Sequence, residues 1–102
     1  MKGYKIVDMP LAQADIRTIL DYLDTFSLDI ALKYAEFFDD AISSLSTMPE
    51  RCPFVRNESL KAKGYRWLSV RNYTIFFTID ESANVVRIER ILYSRREYDV
   101  IL

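Results

Sequence analysis

Five consecutive residues near the end of the chain, Tyr93-Ser-Arg-Arg-Glu97, place a phenol beside two guanidinium groups. Guanidinium is permanently charged and forks onto phosphate oxygens, which suits a phosphorane-like transition state. A phenol supplies or accepts a proton, or stacks on a base, and Tyr98 adds a second one. With an ordinary pKa of about 10, a phenol acts as a base at neutral pH only where neighbouring cations lower it. Neighbours on an extended segment point to opposite sides, so only one of Arg95 and Arg96 faces a given site. Arg66 joins them as a candidate for holding a phosphate. Lys61, Lys63, Arg71, Arg87 and Arg90 are candidates for the RNA-binding rim around it. Cross-strand pairing with Glu89 competes for these arginines and is worth about 0.2–1 kcal/mol. Arg90 shares the strand parity of Val86, Ile88 and Leu92, so a bulge is needed to re-aim it.

Whole chemistries are excluded by composition. The chain has no histidine and one cysteine, Cys52, so neither a zinc site of nitrogen and sulfur ligands nor a Ser-His-Asp or Cys-His triad can be built. Its two glycines, Gly3 and Gly64, make neither a P-loop nor a dinucleotide fingerprint. No cofactor is expected. The lone cysteine and the absence of a leader or an 18-residue apolar run predict a cytoplasmic protein with no membrane association. Net charge is −1, but it is split: residues 1–50 carry four Lys/Arg against nine Asp/Glu, and residues 51–102 carry ten against six. Such asymmetry fits one face meeting an anionic partner.

The elements that must position these groups read as one domain, residues 1–102. Tyr4 to Met9 alternates as a short strand. Pro10 opens a helix whose buried positions are Ile16, Ile19, Leu20 and Leu23. Ser27 caps a second helix with Ala31, Tyr34, Ala35, Phe38, Ile42 and Leu45 inward, and Pro49 ends it. Residues 49–64 show no periodicity and read as an exposed connection. Three strands follow: Tyr65 to Val70, Tyr73 to Asp80 and Val85 to Leu92. Arg71-Asn72 forms the first turn between them, with Asn tolerant of left-handed geometry. The fold class is α+β in the order β-α-α-β-β-β, an antiparallel sheet with a two-helix hairpin packed on one face.

This order and four motifs together resemble the RelE/ParE superfamily of toxins from type II toxin–antitoxin modules. The motifs are Leu45-Ser-Thr-Met-Pro49, Tyr65-Arg-Trp-Leu68, Tyr73-Thr-Ile-Phe-Phe77, and the ending Arg90 to Glu97. The resemblance implies a growth-inhibiting toxin neutralised by a cognate antitoxin. RelE-like members cleave messenger RNA on the ribosome, and ParE-like members poison DNA gyrase without chemistry of their own. For a ribonuclease, it implies Arg66 at the position of a catalytic strand lysine and Arg96, or Arg95 if the register slips, at the late catalytic arginine. Tyr93 stands for the usual histidine, with Tyr93 or Tyr98 handling the proton. The aromatic strand departs from the family at Thr74, where nucleases carry an arginine. Losing such a donor costs on the order of 2.7–4 kcal/mol of transition-state stabilisation. The ribonuclease is the expectation. A gyrase inhibitor, or a decayed toxin that still binds its antitoxin, is the alternative.

Overall fold

The computed structural model describes residues 3–96 and 98–102. Strand β1 (Lys5–Asp8) leads into helix α1 (Pro10–Asp24), which starts at Pro10 because Met9 is extended and the proline needs no N–H partner there. Ser27 caps α2 (Leu28–Ser44) by accepting the Ile30 N–H at 3.4 Å, and Asp29 sits in the first turn, at the positive end of the helix dipole. The other end of α2 is closed by Arg51, a role not apparent in the sequence. Its Nη1 donates to the carbonyls of Thr47 at 2.9 Å and Met48 at 3.1 Å, and its Nη2 to Ser44 Oγ at 3.0 Å. The same Nη1 reaches Ser44 O at 3.4 Å, one of the last carbonyls that the helix leaves without an intrahelical partner.

A four-stranded sheet follows, in the spatial order β1-β4-β3-β2, with β2 at Arg66–Val70, β3 at Tyr73–Asp80 and β4 at Val85–Tyr93. Strands β2, β3 and β4 form an antiparallel meander, while β1 joins β4 in parallel, Ile6 opposite Val86. The sheet is therefore mixed but mostly antiparallel. The two helices cover one face, enclosing Phe38, Leu45, Ile75, Phe77, Val86 and Ile88.

Pairing between β3 and β4 slips between Phe76 and Phe77. Phe76 opposes Arg90 while Phe77 opposes Ile88, so Glu89 is the extra residue of a bulge. The slip reverses the parity expected of β4. Ile91 returns to the helix-side core with Ile88, and Leu92 turns to the opposite face.

That opposite face is not bare, and residues 49–64 are not an exposed connection. They form a 3₁₀ turn (Pro49–Arg51) and a short helix α3 (Glu58–Ala62), the latter capped by Asn57. Cys52 is buried in the main core, while Val55 and Leu60 pack with Phe76 and Leu92 on the reverse face. Apolar residues spaced this irregularly show no period, yet each one is anchored. A last helical turn, α4 (Tyr98–Ile101), adds Tyr98, Ile101 and Leu102 to the same cluster. In the β2–β3 turn the left-handed residue is Arg71, with φ 56°, rather than Asn72. Its guanidinium lies over the Phe37 ring, 4.2 Å from the centroid.

Candidate functional site

The reverse face of the sheet holds a pocket of about 250 Å³. Its floor is made by strand positions of one parity: Trp67 pairs with Phe76 across β2 and β3, and Thr74 pairs with Leu92 across β3 and β4. Trp67 is 38% exposed and forms an open wall. Tyr98 closes another side, its ring tilted over Phe76 with centroids 5.0 Å apart. The Thr74 and Ser94 hydroxyls hydrogen-bond to each other at 2.9 Å. Arg56, from the loop before α3, and Arg96 complete the lining.

A turn settles which of the paired arginines faces this pocket. The Ser94 N–H donates to Asn72 O at 2.8 Å and the Arg96 N–H to Tyr93 O at 2.9 Å, so the chain folds back after β4. Arg96 lines the pocket; Arg95 is exposed outside it. Tyr93 also borders the pocket, with its ring edge-on to Tyr73 at 5.8 Å. Glu97 lies outside the described residues.

The other candidates are held elsewhere. Arg66 sits on the helix-side parity of β2, opposite Phe77 and away from the pocket. Its Nη1 donates to Cys52 O at 2.6 Å and to Glu50 O at 3.1 Å, and its guanidinium lies 3.9 Å from the Phe54 ring centroid. Arg90 is forked onto Asp15 of α1 at 2.7 and 2.9 Å. That ion pair raises the guanidinium pKa further. Arg87 pairs with Asp80 at 3.2 Å. Lys61 and Lys63 are exposed and do not line the pocket. Arg66 and Arg96 thus lie on opposite faces, and the expected convergence of strand arginines does not occur.

The pocket residues missed from sequence are Arg56, in a segment without periodicity, and Trp67, which lies on β2, the edge strand of the sheet. Burial pushes the Cys52 thiol up, and the charges of Arg51 and Arg66 only partly offset this, so Cys52 is no nucleophile. Among the described residues no carboxylate lines the pocket, and no group of three His, Cys, Asp or Glu side chains is placed to hold a metal. Chemically the pocket is a cationic, aromatic cleft able to bind an anion or a stacked ring, with two hydroxyls in place of a base. Among the described residues no helix is long and apolar enough to cross a membrane.

Comparison with known proteins follows the same geometry. The family described as the ParE toxin of the type II toxin–antitoxin system parDE matches residues 8–98. Among solved structures, the toxin–antitoxin complex RelBE2 from Mycobacterium tuberculosis is similar at 22% identity, with a TM-score of 0.64 over 91% of this chain and 93% of that one. The chromosomal ParDE toxin–antitoxin system from P. aeruginosa is similar at 19% identity, with a TM-score of 0.71 over 89% and 96%. No curated protein matches the chain in sequence.

Proposed function

We propose a function from one premise: the chain belongs to the ParE toxin family of type II toxin–antitoxin systems. It is the toxin of such a module, and a cognate antitoxin is its partner. Our reading of its action is inhibition by binding, with DNA gyrase as the target and no bond made or broken by the toxin. One observation carries this: the arginines expected to serve a nuclease, three on strands and Arg71 in the β2–β3 turn, are held by contacts within the chain. Arg66 binds two carbonyls, Arg90 binds Asp15, Arg87 binds Asp80 and Arg71 covers Phe37. Thr74, bonded to Ser94, adds no charge where nucleases carry a guanidinium.

A second reading, ribosome-dependent cleavage of messenger RNA, is favoured by the pocket itself. Arg56 and Arg96 flank Trp67 and Tyr98 in an arrangement that suits a phosphate next to a stacked base. Two assays on the same preparation separate the readings. The binding reading expects inhibition of plasmid supercoiling by purified gyrase, equal for wild type and Arg96→Ala, and no cuts by primer extension on translated messenger RNA. Cuts at ribosomal A-site codons that vanish with Arg96→Ala, with supercoiling unaffected, overturn it in favour of the nuclease.

A further inference from the structure

We propose that the pocket on the reverse face of the sheet binds a nucleoside carrying a terminal phosphate, the base stacked on Trp67 and the phosphate held by Arg56 and Arg96. The ligand is bound and released intact. This goes beyond the gyrase reading, which gives the pocket no part. It also differs from cleavage of messenger RNA, where the phosphate attacked is an internal diester.

Charge defines the phosphate end. Arg56 and Arg96 are both exposed and line the same pocket, one from the loop before α3 and one from the turn after β4. Among the described residues the ion pairs are Arg87–Asp80 and Arg90–Asp15, so neither pocket arginine is neutralised by them. A phosphate monoester carries about −1.5 to −2 charges at pH 7 and three strong acceptor oxygens. Two guanidinium forks match that charge, whereas an internal diester offers a single one. No described carboxylate lines the pocket to repel the phosphate or to take a proton from a sugar hydroxyl. The Thr74 and Ser94 hydroxyls, 2.9 Å apart, supply the donors and acceptors that suit a sugar.

Aromatic surface defines the other end. Trp67 pairs across the strands with Phe76, which is buried, yet keeps 38% of its own surface open. Tyr93, 43% exposed, and Tyr98 share the lining. An open indole beside two guanidinium groups is a platform of the kind on which unpaired bases stack. A carboxylate side chain would use the cations but leave the rings bare, and an acyl chain would do the reverse. The volume of about 250 Å³ lies below the roughly 300–1,000 Å³ of clefts that bury drug-sized ligands, and admits one nucleotide unit.

Trp67 is the one tryptophan of the chain, so its fluorescence reports directly on this pocket. The test titrates the purified full chain with adenosine 5′-monophosphate, adenosine, ribose 5-phosphate and the dinucleoside adenylyl-adenosine, with calorimetry as a second readout. The monophosphate is expected to quench Trp67 and to bind at least tenfold more tightly than the other three. Arg56→Gln and Arg96→Gln are each expected to weaken it about tenfold, and a thermal melt checks that these exposed substitutions leave the fold intact. A short oligodeoxyadenylate with a 5′-phosphate, and the same strand without one, separate two sources of the ligand. Competition by the phosphorylated strand alone supports the proposal with a strand end as ligand; competition by neither supports it with a free nucleotide. Equal binding of adenylyl-adenosine or of the unphosphorylated strand overturns the terminal phosphate. Equal binding of ribose 5-phosphate overturns the stacking and leaves a bare anion site. Absence of quenching and of heat with every probe, or unchanged affinity in both folded arginine variants, overturns the proposal as a whole. The supercoiling assay reads gyrase inhibition separately, so failure here leaves that reading standing.

Discussion

Asp15 of α1 does for β4 what β1 no longer reaches. β1 ends at Asp8, opposite Ile88. Beyond it the Ile91 N–H donates to Asp15 Oδ2 at 2.9 Å, while Arg90 Nε and Nη2 fork onto the same carboxylate. One side chain thus satisfies a strand edge, neutralises the arginine at the bulge and ties helix to sheet.

Removing that carboxylate leaves a guanidinium whose side chain is only 19% exposed without its counter-charge. Asp15→Ala is expected to lower the unfolding free energy by about 3–5 kcal/mol in urea titration. Asp15→Leu combined with Arg90→Met is expected to recover much of it, because a buried pair replaced by packed apolar groups costs little. A loss below about 1 kcal/mol for Asp15→Ala refutes the role.

On the binding reading proposed above, Arg66 serves structure rather than catalysis. Arg66→Ala frees the carbonyls of Glu50 and Cys52 and uncovers Phe54, an expected loss of about 1–3 kcal/mol of stability. Arg66→Lys is expected to fall between, since an ammonium neither forks nor stacks as guanidinium does. Toxicity per folded molecule is expected to stay constant across the series; a loss of activity without loss of stability contradicts the assignment.

Acid unfolding has a named contributor. Asp80 accepts from Ser82 Oγ and the Ala83 N–H and pairs with Arg87, and these contacts hold its carboxyl below the usual 3.8. The folded pKa is depressed, so the stabilisation is complete above about pH 4 and is lost as pH falls through the folded value. In Asp80→Asn the stability difference from wild type is expected to shrink steadily below pH 4. A difference that stays constant down to pH 2 excludes Asp80 from the acid limb.

At the alkaline end the sign is opposite. Burial pushes up the phenols of Tyr73 and Tyr65, with the neighbouring Tyr34 adding to the shift at Tyr73 and Glu89 to that at Tyr65. The Cys52 thiol is raised by burial as well, from 9.0. Raised folded values mean stability that is complete below the unfolded pKa and lost as pH rises above it: from about 9 for the thiol and about 10 for the phenols. Tyr73→Phe is expected to flatten the fall in melting temperature above pH 10, and an unchanged slope would exclude Tyr73 from this limb.

Elements with a strong period were legible in the sequence. Pro10 and Ser27 marked helix starts, the alternation of Tyr73 to Asp80 gave β3, and the element order gave the fold. What escaped depends on contacts remote in sequence. The helix-side placement of Arg66 follows from register, and the roles of Arg90 and Asp15 follow from a bulge and a partner 75 residues away. Val55 and Leu60 are buried individually, without a pattern to betray them. Arg96 was separable from Arg95 only once the turn after β4 was seen. Arg56, on an irregular loop, carried no signal at all.

The position of β4 between β1 and β3 also has a consequence for synthesis. Of the four strands it leaves the ribosome last, and it alone connects β1 to the β2–β3 hairpin. A nascent chain lacking residues 85–93 has β1 without its strand partner and a β2–β3 hairpin with an open side. Interrupted translation therefore releases a fragment without the finished fold, and the cell meets the toxin only when its reading has passed β4.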